Sequence, residues 1–115
     1  MCHDMDMAAP ARTGDELLLV LSALANPHRL RIIAALTGGR NYVSQLARDL
    51  EMSRPLLHMH LRRLEVAGLV VGALELSRDG KAMKYFEIVP FALQVTAQSV
   101  RQAVKTLTPP EESQP

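Results

Sequence analysis

Residues 53–70 read Ser53-Arg54-Pro55-Leu56-Leu57-His58-Met59-His60-Leu61-Arg62-Arg63-Leu64-Glu65-Val66-Ala67-Gly68-Leu69-Val70. Wound on a helix at about 100° per residue, Leu57, Leu61 and Leu64 share one side, and His58, Met59, Arg62 and Arg63 share the other. Ser53 is a helix-capping residue type, Pro55 suits the first turn and Gly68 suits a stop. A helix bounded in this way docks through its leucines and presents a basic, hydrogen-bonding face to solvent.

Upstream, Asn41 is positioned to cap a short helix with apolar positions Val43, Leu46, Ala47 and Leu50. Before it, Asn26-Pro27 starts a helix that runs from Pro27 to Leu36 and stops at Gly38-Gly39, and Thr13 and Glu16 have capping-box spacing ahead of a helix from Asp15 to Ala25. A short helix, a tight turn and a basic second helix form the arrangement of a helix-turn-helix, whose second helix enters the major groove of DNA. Downstream the pattern becomes extended: Leu69-Val70-Val71, Leu74 and Leu76, a turn at Asp79-Gly80, then Met83, Tyr85, Phe86 and Ile88. This predicts a β-hairpin whose basic tip, Ser77 to Lys81, reaches neighbouring backbone as a wing. Pro90 is read as opening a last helix with Leu93, Ala97, Val100, Val104 and Leu107 at helical spacing. The expected fold is mainly α with a two-stranded β-hairpin, a winged helix-turn-helix.

The rest of the chain bounds this reading. At 115 residues it has room for one domain, expected over 13–107, with a flexible arm at 1–12 and a flexible tail at 108–115. A single cysteine, Cys2, excludes an internal disulfide and an all-cysteine zinc site. With 3% aromatics and no Trp, a base-stacking surface for single strands is poorly supplied. The apolar run Leu17 to Ala25 follows an acidic segment rather than the positive start of a signal peptide, and is too short to span a membrane, so a cytoplasmic protein is expected. The formal net charge is only +1, yet between His28 and Lys84 ten bases face five acids. That asymmetry suits a polyanion, although a solvated charged face produces the same excess. No phosphate loop, His-Glu-x-x-His spacing or nucleophile elbow is present, so no catalysis is expected.

The run Ala25-Asn26-Pro27-His28-Arg29-Leu30-Arg31-Ile32-Ile33, then Leu46-Ala47, then Ser53 through Val70 resembles the ArsR/SmtB family of bacterial winged-helix repressors, in matching element order over roughly Leu17 to Leu107. The resemblance implies a homodimer built from the first and last helices, which binds operator DNA and releases it when an inducer binds. Leu17, Leu18, Leu21 and Leu24, packed with Leu93, Val100, Val104 and Leu107, are the expected dimer residues, because both terminal helices are more apolar than a small monomer needs. DNA contacts are expected from Arg54, Pro55, His58, Met59, Arg62 and Arg63 on the helix and from Arg78, Lys81 and Lys84 on the wing. Glu51 departs from the glycine that such turns favour, at a cost of about 1 kcal/mol.

Many members of that family sense metals through a Cys-Val-Cys segment at the start of the third helix. Here Tyr42, Val43 and Ser44 match it, and Tyr and Ser are poor ligands for soft metals. A second family site uses Asp and His on the last helix, and 90–107 contains neither. Remaining donors are Cys2 and His3 on the arm, His28 at a helix start, and His58 and His60, which point in opposite directions on one helix. No cofactor and no tight metal site in the folded dimer are therefore expected, and a signal-sensing partner protein is a candidate source of regulation. Two competing readings stay open: a Ni, Cu or Zn response through the Cys2-His3 arm, and a winged helix that binds another protein instead of DNA. His60, at the edge of the leucine face, is expected to pack or to bridge helices, and His28 to be solvated.

Overall fold

Thr13 Oγ1 accepts the amide of Glu16 at 3.1 Å, and Glu16 Oε1 accepts the amide of Thr13 at 2.9 Å. This reciprocal cap starts α1 (Gly14–Leu24), as its spacing predicts. Asn26 Oδ1 accepts the amides of His28 at 2.8 Å and Arg29 at 3.2 Å, and with Pro27 in the first position it starts α2 (Pro27–Leu36). Such a cap contributes about 1 kcal/mol. There follow β1 (Asn41–Tyr42), α3 (Val43–Leu50), α4 (Arg54–Val66), β2 (Val70–Leu76), β3 (Ala82–Ile88) and α5 (Ala97–Val104). The computed structural model describes residues 12–109, so Cys2 and His3 and most of the expected arm and tail lie outside the described residues.

The chain divides into two units, one of Val20–Pro90 and one of the described parts of Met1–Leu19 and Phe91–Pro115. In the first, α1 contributes Val20 and Ala23 to a core with Ile32 and Leu36 of α2, Val43, Leu46 and Ala47 of α3, Leu57, Leu61 and Leu64 of α4, and Leu69, Val70 and Phe86. Ser53 Oγ accepts the amide of Leu56 at 3.3 Å to start α4, and Gly68, at φ 79°, ends it while the Leu69 amide returns to Leu64 O at 3.0 Å.

The sheet has three antiparallel strands in the order β1-β3-β2, one more than expected. Asn41 pairs with Phe86 and Tyr42 with Tyr85, so Asn41 belongs to the sheet rather than to a helix cap; Tyr42 is the N-cap of α3 and makes no side-chain cap bond. The β2 and β3 register runs from Val70 opposite Ile88 to Leu76 opposite Ala82. At the tip, the Gly80 amide donates to Ser77 O at 2.9 Å and Ser77 N to Lys81 O at 2.8 Å, with Gly80 at φ 83°. Arg78-Asp79-Gly80 thus makes a three-residue loop with glycine in the left-handed position.

In the second unit, Gly14 N donates to Thr106 Oγ1 at 2.7 Å, and the Thr108 amide donates to Asp15 Oδ1 at 3.0 Å. Pro90 does not open the last helix: residues 91–96 are non-helical, and α5 begins at Thr96, whose side chain exchanges bonds with Ser99. Leu93 therefore lies ahead of the helix and Leu107 just beyond it. Among the described residues no single helix is long and apolar enough to cross a membrane.

Candidate nucleic-acid interface

The turn between α3 and α4 is set by Glu51 in the left-handed region, φ 53° and ψ 50°, and by the Met52 amide, which returns to Ala47 O at 2.9 Å while its side chain is buried. Glu51 holds the conformation that its position demands in spite of its Cβ. The turn delivers α4 with Leu57, Leu61 and Leu64 sealed in the core and Arg54, Pro55, His58, Met59, Arg62 and Arg63 exposed. The leucine period predicted this division.

Arg54 and His58 of α4 and Lys81 and Lys84 of the wing line one cleft of about 480 Å³, with Tyr42 and Ser44 on its wall. Four of the nine expected DNA contacts are thereby brought together. Pro55, Met59, Arg62 and Arg63 continue along the exposed side of α4, and Arg78 stands at the exposed hairpin tip. Lys84 Nζ lies 5.4 Å from the centre of the Phe86 ring. Tyr42 and Ser44 were not anticipated as part of this surface; their position at the start of the helix preceding the turn was the available signal.

Two acids of the wing, Glu75 and Asp79, are engaged by neighbouring side chains. Glu75 accepts the Tyr42 hydroxyl, and Arg40 Nη2 reaches Glu75 Oε2 at 3.2 Å while its guanidinium lies 4.2 Å from the centre of the Tyr85 ring. The Tyr42 hydroxyl, with help from Arg40, holds the Glu75 carboxyl below its ordinary pKa, and donating to Glu75 raises that of the Tyr42 phenol. Asp79 is likewise held low, first by the Ser77 hydroxyl and then by the Lys81 amide. Among the described residues Arg40–Glu75 is the ion pair present, so Arg54, Arg62, Arg63, Arg78, Lys81 and Lys84 carry charge with no acidic partner.

Of the expected dimer residues, Leu17, Leu18, Leu93, Val100, Val104 and Leu107 belong to the unit containing α5, and Leu21 and Leu24 to the unit containing α4. Leu18 and Val104 are each 56% exposed. His28 is half-buried rather than solvated, its ring centre 5.2 Å from that of His60. Among the described residues no three His, Cys, Asp or Glu side chains are grouped to hold a metal ion.

Residues 26–71 match the family described as bacterial regulatory protein, arsR family. The chain is 32% identical over 80 residues to an uncharacterized HTH-type transcriptional regulator of Methanocaldococcus jannaschii, a match covering 70% of this chain and 83% of the relative. It is 38% identical over 82 residues to the HTH-type transcriptional regulator CmtR of Mycobacterium tuberculosis, covering 71% of this chain and 60% of CmtR. The fold is similar to the crystal structure of fragment 1–100 of a "possible transcriptional regulatory protein" from Mycobacterium bovis, with a TM-score of 0.57 at 25% identity over 79% of this chain and 86% of that one. It is similar also to the solution NMR structure of the same fragment, a homodimeric winged helix-turn-helix DNA-binding domain, with a TM-score of 0.55 at 24% identity over 79% of this chain and 74% of that one. With its buried leucine face, left-handed turn and basic wing, the chain belongs to the arsR family of bacterial regulatory proteins and is a winged helix-turn-helix transcriptional regulator.

Proposed function

We propose that the chain binds duplex DNA sequence-specifically as a homodimer, on a pseudo-palindromic operator whose half-sites lie about one helical turn apart. The observation that carries this reading is the cleft in which Arg54 and His58 of α4 meet Lys81 and Lys84 of the wing. Bases from two elements around one opening suit a phosphate backbone crossed between groove and wing. Arg54, Pro55, His58, Met59 and Arg62 face base edges and nearby phosphates, Arg63 the backbone, and Arg78, Lys81 and Lys84 phosphates or the minor groove.

Exposure of Leu18, Val100 and Val104 supports pairing through the first and last helices, and the similar Mycobacterium bovis domain is homodimeric. A partner protein supplies the signal in this reading, since Tyr42 and Ser44 offer no soft-metal ligands at the start of α3. Selection of bound duplexes from a random pool, with light scattering of the free protein, tests both parts. An inverted repeat and a dimer are expected; a pool that stays random, or a stable monomer at micromolar concentration, overturns the reading. A protein-interaction module is the second reading, favoured by Leu74 and Leu76, exposed at 68% and 71% on the wing.

A further inference from the structure

Among the described residues, Arg29 and His60 are the charged and polar side chains buried in the core, at 9% and 4% exposure, and neither is paired with a carboxylate. Arg29 Nε donates to Ala23 O at 2.6 Å, Nη2 reaches Ser22 O at 3.5 Å, and Nη1 lies 3.0 Å from His60 Nδ1. The two carbonyls belong to the last turn of α1, where the helix dipole places partial negative charge. One guanidinium therefore joins the end of α1, the α2 helix on which it stands, and the DNA-reading helix α4.

The chemistry of this contact fixes the histidine's state. A guanidinium has donors and no acceptor, so His60 Nδ1 must accept, and the ring is neutral with its proton on Nε2. Protonation would turn Nδ1 into a donor facing a donor and set a second cation beside the first. The titratable groups acting on His60 are Arg29 and His28 from α2 and Arg63 from α4 itself; α3 and β2, which also pack on α4, contribute none. Burial first, and then these basic neighbours, hold the imidazole below its ordinary pKa.

We propose that Arg29 and His60 are positioning residues, a buried latch that holds α4 at the angle operator reading requires and that opens when His60 is protonated, lowering operator affinity in acid. The inference rests on the DNA reading above and adds a means of regulating it. A histidine held neutral in the folded protein is charged first in the unfolded chain, so the stability of the latched state is present above about pH 6.5 and is lost as pH falls below it. His60→Asn keeps an oxygen able to accept from Arg29 but does not titrate, and it leaves the exposed His58 in place.

The test is the affinity of the full chain for a duplex selected at pH 7.5, measured by fluorescence anisotropy from pH 7.5 to 5.5 at constant ionic strength. The wild type is expected to lose affinity on acidification, by up to about tenfold per pH unit for each of the dimer's two His60 side chains as it titrates, the limit for one proton each. His60→Asn is expected to lack that loss, each protein being compared with its own affinity at pH 7.5. Parallel profiles for the two proteins overturn the inference alone; failure to select any duplex at pH 7.5 overturns the DNA reading on which it stands. Nitrogen NMR of the wild-type imidazole at pH 7.5 needs no variant: a proton on Nε2 is expected, and a proton on Nδ1 contradicts the latch.

Discussion

Tyr42 donates its hydroxyl to Glu75, which ties the strand leading into α3 to the outer strand of the wing across β3. The bond is the largest cause of the lowered Glu75 pKa, so Tyr42→Phe should move the Glu75 carboxyl back towards the ordinary range. A depressed carboxyl contributes stability above its ordinary pKa that is lost as pH falls through the depressed one, so the variant should have less of this stability to lose, over a narrower pH range than the wild type. Carbon NMR titration of the Glu75 carboxyl checks this; an unchanged midpoint would remove the bond from the account.

Gly14 is packed against the end of α5. A Cβ there would lie 2.3 Å from Ala103 O and 2.7 Å from Leu107 Cγ, and the first of these is backbone. Gly14→Ala should therefore destabilise the protein by about 1 to 3 kcal/mol, the usual cost of overpacking, despite alanine's better helix propensity. Chemical denaturation measures it, and a gain in stability would show that the two segments part freely.

Glu51→Gly should act in the opposite direction. Glu51 holds φ 53° and its side chain is exposed, so removing its Cβ relieves left-handed strain of up to about 1 kcal/mol with little packing to lose. A rise in the denaturation midpoint is expected, with DNA affinity unchanged, and a fall would mean that the glutamate is held by something other than the turn.

The helix-turn-helix was legible because Leu57, Leu61 and Leu64 recur at helical spacing and Ser53 and Gly68 bracket them. The wing was legible from Asp79-Gly80 between apolar runs. What escaped was local. A strand as short as Asn41–Tyr42 carries no periodicity, and asparagine is as good a cap as a bridge residue. Pro90 imitates a helix start, and Leu93 falls in phase with Val100 and Val104 by accident; the true start lay in Thr96 and Ser99, a capping box with serine in place of the usual Glu or Gln. On the candidate surface, α4 and the wing could be read from charge, whereas Tyr42 and Ser44 join it only through tertiary folding. Arg29 offered a better clue, since it shares the spacing of the buried Ile32 and Leu36.

Two substitutions should separate positioning from reading on the proposed DNA surface. Lys81→Ala on the wing should weaken selected and random duplexes alike and lower the salt dependence by about one phosphate contact. Arg54→Ala on α4 should cost about 1 to 3 kcal/mol on the selected duplex and relax its sequence preference. Salt titrations of both variants on both duplexes provide the check, and identical behaviour of the two would contradict the division of roles.

In the proposed complex α4 reads sequence in duplex DNA while the wing holds the backbone. Competition binding of the wild-type chain to its selected duplex and to a random duplex of the same length, at physiological salt and pH 7.5, tests it most directly. A preference of about a thousandfold or more for the selected duplex is predicted. Equal affinity for the two would contradict it.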